Sequence, residues 1–393
     1  MAKRTSLLGL ITGLLIVLSC TVALEITDIF TVQSGSKDGG CDDWAAVLDD
    51  WLTECIWSLD TTLDAIEQYN QQPSVRKAMS AIFGIANRGR ISEGDGSSRA
   101  HAFTEVKNNI GWVRDFFRNE KDNHGAPIYS KDKFWLFCDS TFLSLHEPTD
   151  PASDYEGKEM LDQDDNPIRI VDVPEYQNHL AEDANNRPWW SGELTNLNAY
   201  YFTEYGGNYC YEDELGITAA TLPLIRGDNG QAVVPENGQV ASVILCPYNF
   251  DVDNPKPSSY LAANQLLESG RNLADAIPRS ATLLHEAFHG LRGDAFLAGD
   301  AEKYDIATCL NLATSDPSSA RINPENYVYF IAHMYHLFGT DEDGAPESIP
   351  TNWDFQLMGR GSLLRVFDHS SKQCVPTPFD IRKRSNVDIS MVN

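Results

Sequence analysis

The chain has 393 residues, 42% of them hydrophobic and 22% charged. That is long enough for a sizeable buried core and too apolar for wholesale disorder or a collagen-like repeat. The 57 Asp and Glu against 30 Lys and Arg leave a net charge of −27, and so acidic a surface repels phosphate backbones and anionic lipid, which argues against nucleic acid as a partner.

The first residues read as a targeting signal. Lys3 and Arg4 precede an apolar run from Leu7 to Leu18, and Thr21 and Ala23 are the small residues of a cleavage site. The run is too short to span a bilayer comfortably, so residues 1–23 are expected to be a removed signal peptide and the mature chain to be secreted, free of the membrane. Loss of the signal removes Cys20 and leaves Cys41, Cys55, Cys138, Cys210, Cys246, Cys309 and Cys374. No CxxC occurs, so the expectation for an exported chain is up to three disulfides and one odd thiol, with the pairing open. No N-x-[ST] acceptor for glycosylation is present.

From Asp42 to Tyr69 apolar residues recur at three- and four-residue steps (Trp44, Val47, Leu48, Trp51, Leu52, Cys55, Leu59), which predicts a long helix. Gln72–Phe83 and His101–Asn119 predict two more, separated by a Gly/Arg/Ser loop over 84–98. Lys133–Leu143 (KDKFWLFCDST) reads as a buried strand. Residues 147–186, rich in Asp, Pro and Asn, read as a long surface loop with little regular structure. The aromatic residues Trp189, Trp190, Tyr200, Tyr201, Phe202, Tyr205, Tyr209 and Tyr211 can line a cleft, but packing is the simpler reading. Gln239–Phe250 is a second strand stopped by Pro247, and Ser259–Ser269 a short helix. Ala281–Leu291, Ala301–Ala313 and Glu325–Phe338 complete the helices. Residues 341–393 read as a tail partly tied down by Cys374.

The informative segment is His285-Glu286-Ala287-Phe288-His289. On a helix, residues four apart share a face, so both imidazoles can converge on one metal ion. Glu286, rotated about 100° around the helix, can reach a water beside that ion and act as general base. Catalytic zinc wants a third protein ligand and an open position. The extension HExxHxxGxxH is absent; the stretch GLRGDAFLAGDAEKYD instead supplies Asp294, Asp300 and Glu302.

These residues resemble the fungal deuterolysin or aspzincin peptidases, including their lysine-specific metallo-endopeptidase relatives. That family follows HExxH with a GTxDxxYG segment, and Gly299-Asp300 to Tyr304-Asp305 occupies its place here. VILCPYNF, FWLFCDS, INPENYVYFIAHM and the helical opening from Cys41 are further similarities, and the resemblance covers roughly residues 41–338. It implies an acidic third ligand and a Tyr, here Tyr304, that assists catalysis as donor to the oxyanion. Strict spacing from Tyr304 would place the ligand at Ala301, so the acids stay in competition: Asp300 ranks first, Glu302 close behind and Asp294 last.

The expectation is an α+β, zincin-like fold, with helices packed on a small sheet and the HExxH helix at the cleft floor. Residues 24–340 form one metallopeptidase domain, its helical part at about 41–120, and 341–393 a tail. The expected function is that of a secreted monomeric zinc metallo-endopeptidase acting on proteins or peptides. Catalysis falls to Glu286 and Tyr304, and one zinc ion to His285, His289 and an acid, Asp300 or Glu302. The alternative is a secreted binding or effector protein on the same scaffold. The His333 and His336 pair lies in a strongly apolar helix, where packing is favoured over metal binding. Arg382-Lys383-Arg384 reads as solvated tail charge rather than a processing site.

Overall fold

The computed structural model describes residues 24–339 apart from 93, 204–206, 212, 236–237 and 268–270, together with the backbone of 353–358 and 363–368. The expected signal peptide, Cys374 and the basic run at 382–384 lie outside the described residues. In chain order the main elements begin with β1 (Thr31–Val32), α1 (Ala45–Glu67), α2 (Pro73–Phe83) and α3 (Ser98–Phe117). Next come β2 (Phe134–Phe137), β3 (Ser144–Leu145), α4 (Pro174–Glu182), β4 (Arg187–Trp190), β5 (Tyr200–Thr203) and β6 (Gly216–Thr221). The pair β7 (Ile225–Arg226) and β8 (Ala232–Val233) precedes β9 (Val240–Leu245), α5 (Ser280–Arg292), α6 (Ile306–Ser315) and α7 (Pro324–Phe338). The architecture is mixed α+β.

The central sheet has the order β1-β2-β9-β6. β2 runs parallel to β1 and β9, whereas β6 pairs antiparallel with β9 as the outer strand. β9 is covered on both faces, which is why VASVIL reads as an almost unbroken apolar run. α1 turns Leu48, Trp51, Leu52, Cys55, Leu59 and Ile66 inward, and it packs on α3, α5 and α7. Burying each such side chain stabilises the fold by roughly 1.5–3 kcal/mol, so truncating Leu48 or Leu52 would loosen the layer under the site. α2 ends at Gly84, where φ is 66° and an added Cβ would lie 2.4 Å from the Ala313 carbonyl oxygen; only glycine meets both demands.

The predicted helices over 42–69, 72–83, 101–119, 281–291 and 325–338 are present within a few residues. The helix expected over 301–313 instead begins at Ile306, because the Asp305 carboxylate accepts from the Ala307 and Thr308 amides and caps it there. Residues 147–186 depart further from expectation. They hold α4, several isolated bridges and a small core of Ala152, Met160, Ile168, Ile170, Val173 and Tyr176 with residues of β4, β5 and β8. Their turns are built by Asp154 and Asp162, each accepting two main-chain N–H groups, a device that hydrophobic periodicity cannot reveal. Trp190, Tyr200, Tyr201 and Phe202 are buried, so packing is the role of most of the aromatic cluster. The tail carries an antiparallel pair, β10 (Trp353–Met358) and β11 (Leu363–Asp368), where no strand was expected.

Among the described residues two disulfides form, Cys41–Cys138 and Cys210–Cys246. Cys55 and Cys309 are buried free thiols rather than a third bridge. Burial pushes the Cys55 thiol well up, with the Glu54 charge adding to it. No helix among the described residues is long and apolar enough to cross a membrane.

Candidate metal centre

α5 carries the HEAFH segment. Every residue from Ser280 through Phe288 is buried, and the helix packs against α1, α7, β6 and β9. One turn apart, His285 and His289 bring their rings to 5.1 Å. Glu302 then enters from the loop after α5. Its Oε1 lies 3.1 Å from His285 Nε2 and 3.3 Å from His289 Nε2. One ligand atom from each of the three residues lies within 4.8 Å of the others, so the group can hold a metal ion.

This reverses the ranking of the acids. Asp300 is exposed on a one-turn 3-10 segment, Gly299–Ala301, and is not part of the converging group. Gly299 at φ 55° starts that turn and the chain leaves it extended, so the next acid, Glu302, faces inward with only 2% of its side chain exposed. The Asp294 side chain lies outside the described residues.

The Glu302 loop is fixed from a distance. Asn323, just before α7, accepts from the Lys303 amide and donates to the Lys303 carbonyl, both at 2.9 Å. The Tyr329 hydroxyl donates to the Tyr304 carbonyl at 2.9 Å. Tyr304 stacks its ring on His285 at 5.9 Å and donates its hydroxyl to Glu302 Oε2 at 2.8 Å. The hydroxyl expected to face an oxyanion therefore holds the carboxylate of the converging group in this structure. Burial raises the Tyr304 hydroxyl pKa, and the Glu302 charge raises it further, so the group stays a donor.

Three further residues complete the centre, and the sequence reading did not single out any of them. Glu325, in the first turn of α7, places Oε2 2.9 Å from His285 Nδ1. Thr218, on β6, donates to Glu286 Oε2 at 2.8 Å. Asn323 is the clamp just described. Each acts across the fold, so no local spacing marks it.

The electrostatics follow from this crowding. Burial opposes a charged His285, but the hydrogen bonds to Glu302 and Glu325 and the charge of Glu286 outweigh it and hold the imidazole pKa well above the ordinary value. Burial likewise opposes a charged Glu302, yet the two imidazoles bring its pKa down to about 2. Glu214 is pushed up by burial and by the Glu286 charge.

Two hollows, here called arms, border the centre. One, of about 430 Å³, is bordered by His285, Glu286 and Tyr304 and carries Asp213, Glu214, Asp305 and Glu325 against Lys256. The other, of about 910 Å³, passes His289 and Gly290 and follows β6 from Thr218 to Leu222. His333 and His336 are both buried within α7 and away from the group that can hold metal. No protein-family model, curated protein or solved structure matches the chain.

Proposed function

We propose that the chain is a secreted, zincin-like zinc metallo-endopeptidase of the kind its motifs resemble. The observation that carries the reading is the meeting of His285 Nε2, His289 Nε2 and Glu302 Oε1 around one point, with the Glu286 carboxylate buried beside them. Two imidazoles and one carboxylate are a donor set that suits catalytic zinc, leaving one position free. Glu325 accepts from His285 Nδ1–H and so points the other ring nitrogen at the centre, the arrangement metal-ligating histidines ordinarily have. A zinc ion bound there would polarise a peptide carbonyl and acidify water.

The chain's own residues supply the rest. Thr218 holds Glu286 Oε2 and leaves its other oxygen to take a proton from the attacking water and hand it to the leaving nitrogen. Tyr304, 57% exposed at the cleft wall, is placed to move its hydroxyl from Glu302 to a developing oxyanion. Export is supported by the signal-like N-terminus and the two disulfides.

The test is zinc content with casein hydrolysis, before and after chelation, on wild type and Glu286→Gln. About one zinc per chain, chelator-sensitive cleavage and a variant that keeps zinc but loses several orders of magnitude in kcat are expected. Activity that survives full metal removal would sink the reading. Zinc without any hydrolysis would favour a binding protein on the same scaffold.

A further inference from the structure

Resting on the peptidase reading, we infer that the larger arm of the cleft receives the acyl side of the substrate, and that it selects uncharged aliphatic residues there. The direction comes from Glu286. It borders the smaller arm and not the larger one. The base that returns a proton to the leaving nitrogen must lie on the amine side of the scissile bond. The amine side therefore occupies the smaller arm, and the segment ending in the scissile carbonyl runs past His289 into the larger.

That arm borders the centre through His289. β6 forms its wall, and Thr218, which reaches Glu286, is the first residue along it. Side chains two apart on a strand share a face, so Ala220 borders the groove one step beyond Thr218. From Gly216 in the smaller arm to Leu222 in the larger, six steps of a strand span roughly 20 Å, room for about six extended substrate residues. An endopeptidase needs a cleft that runs on to both sides of the cut.

The chemistry of the arm sets its preference. Among the described residues, Phe134, Leu222, Val234, Pro235, Val240 and Ala241 line it, beside one Lys and one Glu, Lys133 and Glu175. The smaller arm has a surplus of acids. A charged acyl-side residue would lose water against these apolar side chains, whereas leucine or valine gains by leaving water. Small residues, Ala220, Gly290 and Ala298, keep the space open.

The experiment measures binding apart from catalysis. Zinc-loaded Glu286→Gln protein is titrated calorimetrically with an acetylated tetrapeptide acid of valine, leucine and alanine, and with the same peptide carrying aspartate in place of valine and leucine. The aliphatic peptide should bind at least ten-fold more tightly. Ala220→Trp, which fills the groove, and Ala220→Asp, which charges it, should each weaken that peptide about ten-fold. A tetrapeptide with a free amino end, representing the amine side, should lose far less. Equal affinity for the two acyl-side peptides, or an Ala220 effect confined to the amine-side peptide, overturns the assignment. Cleavage by the wild-type protein without this selectivity also overturns the subsite and leaves the peptidase reading standing. Selectivity without any cleavage supports the groove and sinks the peptidase reading.

Discussion

Glu325 Oε2 lies 2.9 Å from His285 Nδ1, although the two residues are 40 positions apart and on different helices. The contact keeps a proton on Nδ1 and turns Nε2 toward Glu302. Removing it should leave His285 free to rotate. Glu325→Ala is expected to weaken zinc binding by about 10–100-fold, the usual cost of losing such a partner, with Glu325→Gln recovering part of the loss. Competition against a chelator of known affinity measures both. Unchanged affinity in the alanine variant would mean that packing alone orients the ring.

The acids after α5 give a sharper contrast. Glu302→Ala should abolish stoichiometric zinc, because Oε1 is the carboxylate oxygen that approaches both imidazoles. Asp300→Ala should keep about one zinc per chain, since that carboxylate belongs to an exposed turn. Metal analysis of the two purified variants decides the matter, and zinc loss in Asp300→Ala alone would reverse the assignment of the ligand.

His285 also predicts a proton count. Burial acts against its charge, but the hydrogen bonds to Glu302 and Glu325 hold its metal-free pKa well above 6.5. A histidine with a raised folded pKa keeps its proton at neutral pH, and zinc must displace it. Calorimetry at pH 7 in buffers of different ionisation enthalpy should show about one proton released per zinc, with affinity rising as pH rises toward that pKa. The sign for stability is opposite in the metal-free protein. The His285 contribution is complete below pH 6.5 and is lost as pH rises through the folded value. Zinc uptake without proton release would show that the imidazole is already neutral.

What the sequence made legible follows from the range of each interaction. His285, Glu286 and His289 are arranged by the pitch of one helix, so their spacing alone states their geometry. Glu302 is not readable in that way. Its inward turn depends on Asn323, which grips Lys303 from 20 residues downstream, and on Asp305, which starts α6 later than apolar spacing suggests. Thr218 reaches Glu286 only after β6 has paired with β9 over α5. The fold divides the same way. Long amphipathic helices announce themselves, whereas the small core over 152–176 rests on aspartate-capped turns whose polar sequence looks like a loop.

The apolar setting of α7 carries a further prediction, on acid stability. His333 and His336 are each 1% exposed. Burial brings their pKa values down to about 3 and about 4, with the neighbouring His336 charge adding to the effect on His333. Both stay neutral in the fold while the unfolded chain protonates near 6.5, so the unfolded state binds more protons as pH falls below that value. The contribution of these two residues should be full above pH 6.5 and decline toward pH 4 by about 1.4 kcal/mol per pH unit for each histidine. Glu302, with its pKa lowered to about 2 in the metal-free fold, adds its own loss only below about pH 4.5, and His285 contributes a constant amount below 6.5. Urea midpoints of the metal-free protein at pH 7, 6, 5 and 4.5 read the slope. His333→Leu keeps an apolar side chain of similar bulk and cannot titrate, so it should remove about half of it. If that variant retains the wild-type pH dependence, the acid sensitivity arises elsewhere in the chain.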